Sequence, residues 1–205
     1  MLHRLSRIAA ACLALLVSGA GTEAVAQSIR FSTVVIDAGH GGKDGGSVWN
    51  GLIEKKLCLD VAKRLEAGLK SRGLKTVMTR RTDTFVELEQ RARIANRVPA
   101  SIFVSVHFNG SRKTIISGGE TYYRSTRGKT LASAINRSIK SRVPGGTRGV
   151  FFGDYKVLRE TQMPAVLVEC GYISNKREAA RCADSTHRQK LADAIVSGLL
   201  AVRAD

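Results

Sequence analysis

Apolar and polar positions along the chain switch between two periods, and each switch predicts an element. Thr33–Ile36 is a continuous apolar run, as a strand buried on both faces requires. From Glu54 to Ser71 the period becomes helical, with Leu57, Val61, Leu65 and Leu69 four residues apart and Gly73 after the end. Strands are predicted again over Thr76–Thr79, Ser101–Val106, Glu120–Arg124 and Ala165–Val168. Helices are predicted over Glu87–Arg97, Lys129–Arg142 and Thr186–Val202, the first two followed by Pro99 and by Pro144-Gly145-Gly146. Strands alternating with helices imply an α/β fold, a three-layer α/β/α sandwich around a mainly parallel twisted sheet. No repeat, low-complexity tract or linker divides it.

The first 26 residues depart from this pattern. Arg4 and Arg7 precede the apolar stretch Ile8–Val17, which is too short to span a bilayer, and Ala24-Val25-Ala26 offers small residues for cleavage. The expected organisation is a secretory signal peptide over 1–26 and a catalytic domain over 27–205. Export to the periplasm is expected, with secretion to the cell wall as the alternative, and no further segment is apolar for long enough to cross a membrane. The 205 residues carry a net charge of +16, which losing Arg4, Arg7 and Glu23 lowers by one. Such a charge favours anionic partners. A specific nucleic-acid binder is disfavoured, because no recognised motif or basic–aromatic alternation accompanies the charge.

Three cysteines lie beyond residue 26: Cys58, Cys170 and Cys182. No C-x-x-C occurs, so a thiolate metal knuckle is not expected. Cys58 reads as a small core hydrophobe, and a Cys170–Cys182 bridge is a possible pairing in an oxidising compartment.

In open α/β sheets, ligands bind beyond the carboxyl ends of the strands. Three strands end there on residues that hold metals or move protons: His40 after Ile36-Asp37-Ala38-Gly39, His107 after Phe103–Val106, and Glu169 after Ala165–Val168. Glu54 opens the helix on the same edge. Two histidines and a glutamate leave zinc one open position, the catalytic pattern, and the remaining acid is then available as a base. Glycines around His40 suggest a phosphate loop, but Lys43 is followed by Asp44 where a hydroxyl residue would be needed. Glu54 alone would be explained by its helix dipole. Glu169 is harder to explain away, because an acid ending an apolar strand is costly unless paired or functional. Cys170 should face the opposite side of the sheet from Glu169. His187, at a helix start, reads as a surface residue.

These residues stand in stretches that resemble the zinc-dependent N-acetylmuramoyl-L-alanine amidases of the amidase 3 type. The matching pieces are Ile36–Gly42, Glu54, Thr79-Arg80, Asp83, Leu88 with Arg91, Ala95-Asn96, Phe103–Asn109, Leu158-Arg159, Pro164–Glu169 and Gly171–Asn175, in that order. The resemblance implies one zinc per chain held by His40, Glu54 and His107, with Glu169 as the catalytic glutamate. It implies peptidoglycan as substrate and cleavage of the amide between the lactyl group of N-acetylmuramic acid and the L-alanine of the stem peptide. Zinc-activated water would attack, with Glu169 as general base. Ala38 replaces a frequent proline, and Phe108 a frequent small residue, which bears on substrate preference.

A related zinc amidohydrolase acting on another amide is the nearest alternative, and a non-catalytic envelope-binding module is a second; the intact set of four residues argues against the latter. A monomer is expected. An activator protein is compatible with the sequence but not required by it, because the interval from His107 to Glu169 is taken up by predicted core elements. That leaves no room for a helical cover over the site.

Overall fold

A computed structural model of the chain describes residues 28–204. The proposed signal peptide therefore lies outside the described residues. The sheet that organises the molecule has six strands, in the order β5-β2-β6-β9-β7-β8. They are β2 (Thr33–Ala38), β5 (Lys75–Met78), β6 (Ser101–Asn109), β7 (Gly119–Tyr123), β8 (Thr147–Phe152) and β9 (Ala165–Tyr172). All neighbours run parallel except β7 and β9, which are antiparallel. Two short ribbons complete the strands. β1 (Ile29–Arg30) pairs with β10 (Arg203–Ala204), and β3 (Val48–Trp49) forms a hairpin with β4 (Leu52–Ile53).

Among the described residues there are six helices: α1 (Glu54–Lys70), α2 (Leu88–Asn96), α3 (Thr126–Arg142), α4 (Lys156–Glu160), α5 (Lys176–Ala183) and α6 (Ser185–Leu200). Strand alternation sorts them into layers. Val34, Ile36, Val104, Val106, Val166 and Val168 point into a large core shared with α1, α3 and α6. Val35, Phe103, Ala165 and Leu167 point the other way, into a smaller core with Ala95 of α2 and Val157 and Leu158 of α4. The architecture is the expected α/β/α sandwich. Its second helical layer is thin, built from the short helices α2 and α4.

Several features differ from the sequence reading. Strand β8 and helix α5 were not predicted. β8 is poor in the pattern that marks a core strand, because it lies at the sheet edge with Arg148, Phe151 and Phe152 exposed. His187 is buried, not on the surface, at 7% exposure. It falls four residues before Leu191 and eight before Ile195, on the face that α6 turns inward. Cys58, Cys170 and Cys182 are buried free thiols, so of the two states open to Cys170 and Cys182 the structure has the unbridged one. Cys170 and Cys182 both sit in the large apolar core, each filling space as a small hydrophobe. Among the described residues, no helix is long and apolar enough to cross a membrane.

Candidate metal centre and active site

The residues singled out by strand ends share one face of the sheet. Val35 and Asp37, then Phe103, Ser105 and His107, then Leu167 and Glu169, alternate onto the side of the thin layer. His107 and Glu169 are register partners on β6 and β9, and Glu120 of β7 is the partner of Glu169 on its other side. Gly39, directly after β2, borders His107: a Cβ there would lie 2.3 Å from His107 Cε1. The absent side chain is the space the imidazole occupies.

Glu54 is brought to this row by α1, its first residue, and is 4% exposed. Its Oε1 lies 2.9 Å from His40 Nε2 and 2.9 Å from His107 Nδ1, and accepts from the Phe108 N–H at 3.1 Å. Its Oε2 accepts from the Ser47 N–H at 2.8 Å. Burial pushes this carboxyl up, but hydrogen bonds from His107 and His40 outweigh that and hold it well below the usual range. Burial lowers the proton affinity of His40, whereas its bonds to Glu54 and Asp44 raise it, and the balance is upward. Asp44 Oδ2 is 2.8 Å from His40 Nδ1. A proton shared there leaves Nε2 as the ring nitrogen turned to Glu54 and His107.

The loop carrying His40 is held open and rigid. His40 itself has φ 59°, in the left-handed region. Arg91 donates to the His40 carbonyl at 2.7 Å and to Ala38 O at 2.6 Å, and Arg80 donates to Gly39 O at 2.6 Å. Lys55 bridges Gly42 O and Asp83, whose other oxygen accepts from the Gly42 N–H. At Gly46, with φ +66°, a Cβ would stand 2.6 Å from Glu54 Oε2 and 2.7 Å from His40 Cδ2. Beneath the loop, Asp37 takes hydrogen bonds from Thr79, Arg91 and Ser105. Burial raises its carboxyl, but the Arg91 charge and these bonds bring it below the ordinary value.

One oxygen thus faces two imidazole nitrogens, and the candidate donor atoms of His40, Glu54 and His107 all lie within 4.8 Å of one another. Two nitrogens and a carboxylate oxygen suit a zinc-type dication. Glu169 is placed differently. It is 8% exposed and its Oε2 has no hydrogen-bond partner. Burial, followed by the charges of Glu54 and Glu120, pushes its carboxyl well above the usual range. All four residues line one cavity of about 520 Å³, whose other walls include Phe85, Val86, Leu88 and Tyr155.

Two contributors escaped sequence reasoning. Asp44, which in the sequence rules out a phosphate loop, also carries a signal of its own in its spacing of four from His40. Glu120 was read as strand; nothing in its local pattern marks it, since its role depends on the antiparallel pairing with β9.

A mainly parallel α/β domain with a His–Glu–His cluster and an unpaired buried glutamate at its strand ends has the make-up of a hydrolase. The comparisons with known proteins specify which kind. Residues 34–201 match the amidase 3 family model, described as N-acetylmuramoyl-L-alanine amidase, and the chain belongs to that family. It is 41% identical over 178 residues to the uncharacterised protein YqiI of Bacillus subtilis, covering 85% of this chain and 86% of that protein. It is 36% identical over 170 residues to the N-acetylmuramoyl-L-alanine amidase LytC of the same organism, covering 81% of this chain but only 34% of LytC. Among solved structures, the catalytic domain of the amidase CwlV from Bacillus (Paenibacillus) polymyxa var. colistinus superposes with a TM-score of 0.80. Identity to it is 39%, over 84% of this chain and all (100%) of that one.

Proposed function

We propose that this chain is an exported, zinc-dependent amidase that cuts peptidoglycan between the lactyl group of N-acetylmuramic acid and the L-alanine of the stem peptide. The observation that carries this reading is the convergence of His40, Glu54 and His107 on one point, beside an unpartnered Glu169 oxygen in the same cavity. His40, Glu54 and His107 are assigned as the zinc ligands. When bound, the ion supplies Lewis-acid polarisation of the amide carbonyl and a lowered pKa for water.

The protein's own residues do the rest. Asp44 orients the His40 ring through Nδ1, and the Ser47 and Phe108 N–H groups fix the two oxygens of Glu54. Glu169 Oε2, with no competing partner, takes a proton from the attacking water and passes it to the departing L-alanine nitrogen. Its raised proton affinity suits it to hold that proton between the two transfers. Cys170 takes no part, because its side chain packs in the opposite core.

Between His107 and Glu169 the chain forms β7, α3, β8 and α4. β7 and β8 are strands of the sheet, α3 packs on it and on α6, and α4 packs on α2 with Lys156 and Val157 on the cavity wall; no further helix is inserted between His107 and Glu169. The proposed site is open, and the enzyme acts on the wall without a partner protein. Analysis of the soluble products released from purified sacculi, with and without a chelator, tests it.

A further inference from the structure

A second cavity, of about 710 Å³, is walled in part by chain neighbours of residues that line the first and has a different chemistry. Trp49, Ile115, Lys176, Arg177 and Arg181 contribute to its walls, with no acid among the lining residues. The two cavities share their framework. The segment whose Ser47 N–H binds Glu54 carries Trp49 into the second cavity two residues later. The strand that ends on His107 and Asn109 runs on into the 110–118 loop that bounds it. At the junction, a Cβ on Gly110 would lie 2.7 Å from Ser47 Oγ and 3.0 Å from Trp49 Nε1, so the loop and hairpin meet only because that position is glycine.

The walls are fixed by hydrogen bonds. Asn50 donates to Ile173 O at 2.8 Å, Asn175 to Thr114 O at 2.9 Å, and the Ser111 N–H to Ser174 Oγ at 3.0 Å. The cations, by contrast, are under-used. Lys176 and Arg177 are exposed and pair with no acid among the described residues. Arg181 Nε is buried without a partner, and its contact with Glu178 is long, 3.7 Å. Glu178 is occupied elsewhere, accepting from the Gly118 and Tyr172 N–H groups at 2.8–3.0 Å.

We propose that this cleft binds the carboxylate-bearing part of the stem peptide, on the leaving-group side of the amide. This rests on the amidase reading and adds to it the direction in which substrate lies. The two arms of the polymer differ in charge: the sugar–lactyl arm is neutral, whereas the peptide arm carries side-chain and α-carboxylates. Two cations with no acid partner, and a third whose only acid contact is long and engaged elsewhere, select the peptide arm, and arginine forks suit carboxylates. The exposed faces of Trp49 and Ile115 then meet the apolar atoms of the peptide. The apolar wall residues Val86, Leu88 and Tyr155 of the catalytic cavity are left for the sugar arm.

Steady-state kinetics on two muropeptides, one with free stem-peptide carboxylates and one with those carboxylates amidated, tests the assignment. The variant is K176Q/R177Q, at two exposed positions. A control, R72Q/K190Q, removes the same charge at exposed positions on α6 and just beyond the end of α1. For K176Q/R177Q, KM on the free-carboxylate substrate is expected to rise about tenfold with kcat held, the scale of a lost charge-assisted bond. Its KM on the amidated substrate stays within about twofold of wild type, and the control shifts neither, since an exposed charge acting at a distance is screened by salt. Equal rises on both substrates, or wild-type KM on the free-carboxylate one, overturn the cleft while leaving the amidase reading intact. Wild-type enzyme that releases stem peptide from neither substrate removes the amidase reading and the cleft with it.

Discussion

Glu120 and Glu169 are register partners across the antiparallel pairing of β7 and β9, yet their oxygens are treated oppositely. Glu120 accepts from Tyr122 at 2.7 Å, Arg148 at 2.7 Å and Tyr172 at 3.1 Å. Glu169 Oε2 accepts from nothing. An unsatisfied buried carboxyl is costly for a fold and is retained where its proton is used. The structure thus separates a carboxylate that is held from one that is left free to act.

Glu169→Gln follows from this contrast. The change keeps the shape and removes the base. Zinc content should stay near one ion per chain while turnover falls about a hundredfold or more, the usual scale for losing a general base. Metal analysis beside the rate decides the role: loss of zinc would make Glu169 a ligand instead.

Gly39→Ala probes the packing of the centre. The new methyl would stand 2.3 Å from His107 Cε1, so the imidazole has to move. Misplacing a reacting group by about 1 Å costs on the order of a hundredfold in rate. The expected result is a folded protein by circular dichroism with that loss in turnover and weaker zinc binding by titration. Wild-type activity would show that His107 does not need its present position.

The strand ends that carry the site were legible because the chain announces them. A run of apolar residues that stops on His or Glu breaks the pattern expected of a buried strand, and Val35, Phe103 and Leu167 fix by alternation which face that residue joins. α1, α3 and α6 were legible for the same reason, each burying a regular stripe. β8 was not, because an edge strand with exposed Phe151 and Phe152 lacks a two-sided apolar run. Nor was the inward face of His187, since one imidazole on a stripe of leucine and isoleucine reads as polar when considered alone. The partnership of Glu120 with Glu169 needs the strand order, which no local pattern contains.

Arg91 links the fold to the site. It is 2% exposed, paired with Asp37 at 2.8 Å, and holds the carbonyls of Ala38 and His40. Arg91→Met leaves a buried carboxylate without its cation, which costs about 3–5 kcal/mol. Urea unfolding should show that loss. A cost of less than about 1 kcal/mol would mean that Thr79 and Ser105 satisfy Asp37 unaided.

Acid sensitivity should have a contribution remote from the candidate metal site. Arg81 grips Glu66 with two bonds of 2.7 Å, and Lys70 and Thr76 add to it. The Arg81 bonds, against partial burial, bring the Glu66 carboxyl down to about 2 from 4.5. A depressed folded-state value means that the unfolded chain binds more protons in this interval. The stabilisation is therefore complete above about pH 4.5 and is lost as pH falls towards 2. The stability gap between wild type and Glu66→Gln should shrink over that range in urea melts taken at successive pH values. A constant gap would show that the pair does not respond to protonation.

The most direct measurement is mass spectrometry of what the purified protein releases from isolated sacculi, without an added partner and with or without a chelator. The expected products are free stem peptides beginning with L-alanine and glycan strands bearing intact lactyl groups. Release should stop when the metal is removed and return when zinc is restored. Disaccharide-linked peptides as the main product, or undiminished release from rigorously metal-free protein, would contradict it.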